Sequence, residues 1–442
     1  MEEATEDDLY AAMDWLLARQ ERIEGRLAKR YLEPGGVVLY DLSSTYVEGE
    51  HCALAKRGYS RDGRPGKEQV EFGLLCNAEG MPVAIEAFAG NTADPATFQS
   101  QVEKVKQRFR VAEVVWVADR GMLTSAQVAK LREVVGASWV TALRAPAIRQ
   151  LVEAGSIQLS LFDTQNLAEV TDPRYPGERL VVCHNPLLAE RRARTRQDLL
   201  AATEQELAKV AAMVARGAAG GRAGLQGAGA IGERIGRVVH TYAMAKHFTW
   251  TITDQSFTYA RNEASIAAEA ALDGLYVLRT NVSPERLGTA EVVLAYKSLG
   301  HVEQAFRHFK LSDLEVRPIY HYTEPRVRAH LLLCMLAYLV QRTMQQAWAP
   351  LLFVDEAPPE RPDPVAAAPR SAGAKRKDQT KRTAEGFPVH SFRTLLQELG
   401  TVVKNRVIPR GVGPAAAFDL LTQPTALHAK AFDLLGLILA PK

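Results

Sequence analysis

Tyr296, Leu299, Glu303 and Lys310 stand at offsets 0, 3, 7 and 14 in this chain. At roughly 100° per residue, a continuous helix would place them at about 0°, 300°, 340° and 320°, within one narrow arc. That arc sets a carboxylate beside a phenol and a cation. Val302, Ala305, Phe306 and Phe309 fill the neighbouring arc and can anchor the helix to a core, while Arg307 flanks the other side. A carboxylate next to groups that bind phosphate suits metal-assisted chemistry on a polyanion.

Two aspartates upstream extend the set. Val37 to Tyr40 reads as a short apolar strand that ends on Asp41, and Val114 to Ala118 as a second one that ends on Asp119, before Arg120 and Gly121. Buried strands that deliver an acid at their carboxyl ends are a common way to build a site in an α/β sheet. Asp41, Asp119 and Glu303 together offer hard oxygen donors, which suit Mg²⁺ or Mn²⁺. The plainer alternative is local. Asp41 precedes Ser43, Ser44 and Thr45, which fits a turn, and Lys310 would suit a helix carboxyl end by opposing its dipole.

The ordered motifs carry a resemblance. Tyr296, then Glu303 seven residues on, then Lys310 after six more match the YREK signature of a group of DDE insertion-sequence transposases, with Leu299 where the signature has Arg. DLSSTYVEG and GYSRDGRPGKEQVEFGL around the first Asp are similar to blocks of that group. So are AFAGNTADPATF, VADRGM, DGLYVLRTN and RPIYHYTEPRVRAHLLLCMLAYL, in the right order across residues 6–345.

The resemblance implies a ribonuclease-H-like core and metal-dependent cleavage and strand transfer of DNA. Catalysis and metal binding would fall to Asp41, Asp119 and Glu303. Asp41 would bridge two Mg²⁺ or Mn²⁺ ions, with Asp119 and Glu303 holding one each. Tyr296, Arg307 and Lys310 would contact DNA. The implied partners are double-stranded DNA, as element ends and target, and a second copy in a synaptic homodimer. Similar transposases carry a further amino-terminal recognition region, and the resemblance leads to the expectation that this chain lacks it. A truncated, catalytically impaired DNA-binding remnant and a metal-dependent nuclease with another substrate therefore stand as alternatives. Leu299→Arg is expected to restore a cation and strengthen binding, if that helix face points at DNA.

These residues need elements to position them. Asp119 follows Asp41 by 78 positions (119 − 41), room for the strands and helix of a compact core. Glu303 follows Asp119 by 184 positions (303 − 119), far more than one crossover needs, so a partly β insertion is expected between them. The chain divides into a helical lead-in (1–35) capped by Thr5, a first core part (36–145) and an insertion (146–280). A second core part (281–352) carries the Glu helix, followed by a disordered linker (353–388) and a small tail (389–442). Within the insertion, Leu180 to Cys183 reads as a strand, Leu187 to Val214 as a helix, 215–232 as flexible Gly/Ala-rich chain and Val238 to Tyr259 as β-like. Periodicity alone supports only α/β.

Composition sets looser limits. The chain has 442 residues, a net charge of +3 and four cysteines without a CxxC pair. The cysteine pattern fits reduced, structural thiols in a cytoplasmic protein, and the resemblance to bacterial transposases implies association with the nucleoid. The acidic start lacks an apolar signal core, and the apolar run Leu331 to Val340 is too short to span a bilayer, so no membrane partner is expected. Basic clusters at Arg191 to Arg196 and Lys375 to Arg382 could touch phosphate. Gly227 to Gly232 fits GxGxxG but lacks a preceding strand. His301, His308, His321 and His330 show no ligand spacing.

Overall fold

The computed structural model describes residues 4–158, 162, 165–221, 224–311, 314–361, 363–411 and 414–437. It comprises two compact units, one of residues 1–141 and 294–442, the other of 142–293. The first begins with α1 (Glu6–Leu17) and α2 (Gln20–Tyr31). Thr5 caps α1 through a capping box with Asp8, as its sequence position suggests, but the expected single lead-in helix breaks at Ala18 and Arg19.

Then come β1 (Val37–Tyr46), β2 (Gln69–Asn77), β3 (Pro82–Ala89), α3 (Asp94–Glu103), β4 (Val114–Val117), α4 (Ser125–Arg132) and β5 (Ala137–Ala142). In the sheet they form, the order is β3-β2-β1-β4-β5. β1 is antiparallel to β2 and parallel to β4, and β4 is parallel to β5. This mixed α/β architecture agrees with the ribonuclease-H-like expectation. One face of the sheet is a continuous core. Val38, Tyr40 and Leu42 of β1 and Val114 and Trp116 of β4 pack there with Phe98 of α3 and Trp139 of β5. Because side chains alternate along a strand, Leu39, Asp41 and Val117 belong to the opposite face.

The second unit holds α5 (Ala145–Glu153), β6 (Leu167–Val170), β7 (Arg179–His184), α6 (Pro186–Ala218), α7 (Ala228–Thr241), β8 (Phe248–Ile252), β9 (Phe257–Arg261), α8 (Glu263–Ala270) and β10 (Leu275–Thr280). β7 lies between β10 and β6, and β8 pairs with β9 as a separate hairpin. The expected flexible stretch 215–232 is a correction. Ala215–Ala218 ends α6 and Ala228–Gly232 begins α7; residues 222 and 223 lie outside the described set. Leu200, Leu207, Val210 and Val214 of α6 bury against Ile231, Ile235 and Val239 of α7, so apolar spacing outweighs Gly/Ala content. Val238–Thr241 is likewise helical, and the β-like run begins only at Phe248.

The turn between α6 and α7 depends on a close backbone approach. A Cβ on Gly224 would stand 2.2 Å from the Gly217 Cα, and Leu225 N donates to Met213 O at 3.0 Å. Gly224→Ala is therefore expected to cost about 1–3 kcal/mol of stability through overpacking against backbone. Denaturant unfolding at an unchanged m-value checks it, and wild-type stability would place the turn elsewhere.

The first unit resumes at Leu294, within α9 (Thr289–Lys297), and continues with α10 (Leu299–Leu311), α11 (Glu324–Ala347), α12 (Ala372–Thr380), α13 (Phe392–Leu399), β11 (Lys404–Val407), β12 (Phe418–Leu421) and α14 (Ala426–Leu434). The expected linker 353–388 is not simply disordered. Asp355 accepts from Ser371 N at 2.8 Å, and Lys297 Nζ donates to Val365 O at 2.8 Å. On α12 the buried Lys377 Nζ donates to Ala349 O at 3.2 Å and Leu352 O at 3.3 Å. Side-chain bonds to main-chain carbonyls thus order a segment of unpromising composition. In the tail, Leu395 and Leu427 bury with Trp348, whose indole donates to Ala431 O at 2.8 Å.

Candidate active site

The sheet register sets the first pair of acids. Val37, Val38 and Leu39 of β1 lie beside Val115, Trp116 and Val117 of β4. Carrying that register two residues further brings Asp41 abreast of Asp119, on strands about 4.8 Å apart. The sequence-based expectation that a strand ends at Asp41 needs correcting. β1 continues to Tyr46 by pairing with β2, and Ser43, Ser44 and Thr45 are strand residues rather than a turn. Only the parallel neighbour β4 stops short, which opens the sheet at Asp41. Asp41 Oδ1 accepts from its neighbour Leu42 N at 2.8 Å. Asp119 Oδ1 is held by Gly121 N at 3.0 Å and Met122 N at 2.7 Å, so a tight turn aims this exposed carboxylate.

The third acid arrives on α10, which packs against β1 and β2. Val302, Ala305, Phe306 and Phe309 are all buried, and both phenyl rings meet Phe72 of β2, at centroid distances of 5.5 and 6.2 Å. Glu303 and Arg307 lie on the exposed side. The continuous helix expected from Tyr296 to Lys310 is broken at Ser298. Ser298 Oγ donates to Ala295 O at 2.6 Å, and Ser298 and Gly300 are weak helix formers. Tyr296 therefore sits on α9 rather than on the helix of Glu303. The start of α10 is fixed from outside: His301 Nδ1 lies 2.9 Å from Ala78 O, and Gly80, at φ +77°, leaves room for the His301 side chain.

Electrostatics draw these groups into one neighbourhood. Burial pushes the Asp41 carboxyl up to about 7; the Leu42 N–H opposes this, the Asp119 and Glu303 carboxylates add to it, and Arg61 opposes it. Tyr296 is pushed up to about 12, by burial first and then by Asp119, Glu303 and Asp41, with Arg120 opposing. Asp41 and Tyr296 thus both feel Asp119 and Glu303. Among the described residues, no group of three or more His, Cys, Asp or Glu is placed so as to hold a metal ion. The donor chemistry fits a hard dication, since a buried Asp41 carboxyl raised by desolvation, with two further carboxylates adding to that rise, would gain from one.

Lys310 and Leu299 depart from expectation. Lys310 is largely buried, and its Nζ lies 2.9 Å from Asp62 Oδ1 instead of projecting freely. Leu299 is only 8% exposed and belongs to the core, so the position where the signature has Arg carries packing rather than an outward side chain. Basic-cluster residues can be structural too: Arg196 is buried and its Nη1 donates to Asp273 at 3.0 Å.

Sequence reasoning passed over Arg61, Asp62, Glu71 and Arg317. Arg61 is gripped by Glu71 at 3.1 Å and Asp94 at 2.7 Å, and Ser44 Oγ accepts from its backbone N at 3.0 Å. Burial pushes Glu71 up to about 7 against the pull of Arg61. The signal lay within GYSRDGRPGKEQVE and RPIYHYTEP, where nothing local distinguishes these charges from solvated ones.

The model for the Transposase DDE domain matches residues 34–340, which spans all of these acids. This chain belongs to the DDE transposase family. No curated protein matches it. As a DDE transposase it is a DNA-binding protein with a transposase-type nuclease function, of a family that generally uses divalent metal ions. No helix of the described residues is long and apolar enough to cross a membrane.

Proposed function

We propose that this transposase, of the YREK-signature group, cleaves DNA strands at the ends of an insertion sequence and joins the freed 3′ end to target DNA, with Mg²⁺ or Mn²⁺. The observation that supports this reading is the parallel register of Val37–Leu39 with Val115–Val117, which leads into Asp41 and Asp119, together with the electrostatic influence of Asp119 and Glu303 on Asp41. Asp41, Asp119 and Glu303 would hold the ions. Bound there, such ions supply an activated nucleophile and neutralise charge on the leaving oxygen. The chain's own groups do the rest. The Gly121 and Met122 amides fix Asp119, the apolar face of α10 fixes Glu303, and Tyr296, Arg307 and Lys310 orient the phosphates flanking the scissile bond. Two copies would pair the element ends in the cytoplasm.

The test is nicking of supercoiled DNA with Mg²⁺, Mn²⁺ or chelator, followed by a search for joined strands. Metal-dependent nicking with joining supports the proposal; nicking without joining marks a nuclease of another kind.

The phosphate role of Lys310 has its own expected result. Lys310→Ala should weaken binding by a similar factor on terminal and random duplexes. It should also reduce the slope of log affinity against log salt by about 0.9, the loss of one phosphate contact. Titrations at several salt concentrations measure both, and a loss confined to one sequence would point to base reading instead.

A further inference from the structure

We propose that Asp62 is a positioning residue, a clamp that fixes the Lys310 ammonium toward the cleft that both side chains line; this rests on the phosphate role given to Lys310 above. Asp62 lies in the loop between β1 and β2, and its side chain is fully buried. Its Oδ1 alone takes two cations, Lys310 Nζ at 2.9 Å and Arg317 Nη1 at 2.7 Å, while Oδ2 is buried with no hydrogen-bond partner among the described residues. Arg317 Nε also donates to the carbonyl of Lys310 at 3.2 Å, so one guanidinium ties the end of α10 to the carboxylate. The loop is itself tethered, by Arg61 N to Ser44 Oγ and by Arg64 N to Ser60 Oγ, each at 3.0 Å.

Lys310, Asp62 and Arg317 line a cleft of about 720 Å³. Arg64 and Glu315 also line it, with His321 and His330 nearby, so the cations Arg64, Lys310 and Arg317 outnumber the anions Asp62 and Glu315. A carboxylate shared by two cations fits this setting. It holds a long, flexible lysine in one place, keeps it protonated beside two arginines, and leaves the cleft net positive for a phosphate. Burial, Arg317 and Arg61 all push the Lys310 ammonium towards losing its proton, and Asp62 opposes them.

The experiment follows Lys310 directly, by pH-dependent acetylation with acetic anhydride read by peptide mass spectrometry, alongside the pH profile of nicking. In Asp62→Asn the half-reaction pH of Lys310 should fall by about one unit, and the alkaline limb of nicking should fall with it. Asp62→Glu should largely restore both. Arg317→Met removes a repelling cation and should move Lys310 the other way, which keeps the test open if Asp62→Asn does not fold. A Lys310 titration unchanged in every folded variant overturns the clamp, as does a nicking loss uniform across pH. If wild type never nicks but the acetylation shift appears, the clamp stands and the cleavage reading falls.

Discussion

Asp41→Asn is expected to abolish strand cleavage while making the metal-free protein more stable at pH 8. The activity loss should be on the order of 10³-fold, equivalent to about 4 kcal/mol of transition-state stabilisation. The stability gain follows from the raised carboxyl. Folded Asp41 holds its proton up to about pH 7, whereas an unfolded Asp releases it near 3.8. Between those values the folded state binds more protons, so this contribution is full below the unfolded value and is lost as pH rises through 7. Above 7 the wild type carries a buried charge beside Asp119 and Glu303 that Asn does not have. The variant should then exceed wild type by about 1–3 kcal/mol, an advantage that fades towards pH 5. Urea melts of both proteins in chelator at pH 5 and pH 8 decide it. A variant weaker than wild type at pH 8 would mean that the carboxylate is satisfied by groups other than those described.

Leu299→Arg should destabilise the fold by about 3 kcal/mol or more and bring no gain in DNA binding. This reverses the expectation drawn from the signature alone. Leu299 is buried at the first turn of α10, and a guanidinium there would have to give up water and displace packed apolar side chains. Leu299→Met, which keeps the volume, should cost less than about 1.5 kcal/mol. Unfolding curves and duplex titrations on the two variants separate the outcomes. An Arg variant of wild-type stability with tighter binding would show that the side chain reaches solvent.

The elements that carry the candidate acids were legible because they are local patterns. An apolar run before an acid marks a strand that delivers a carboxylate, and the 3.6-residue spacing of Val302, Phe306 and Phe309 marks the face that anchors Glu303. Tertiary contacts were not legible in the same way. The break at Ser298 rests on a side-chain bond to Ala295 and an outside grip on His301. Asp62 meets Arg317 across 255 positions. The helical pairing of Ala215–Ala218 and Ala228–Gly232 went unread because burial of α6 against α7 decides it, and small residues signal flexibility only where nothing packs on them.

The parallel register of β1 and β4 also sets how this gene can change. Substitutions along Val37–Tyr40 and Val114–Val117 need only stay apolar and of similar bulk. Length is another matter. Adding or deleting one residue ahead of either aspartate turns that carboxylate to the other face of the sheet, where Tyr40 and Trp116 are packed. The loops between the elements that separate Asp119 from Glu303 are freer, because α10 is located by its own contacts with β1 and β2 rather than by the length of what precedes it. Drift in this lineage should therefore show insertions and deletions in abundance between the second and third acids, and almost none in the few codons leading into the first two.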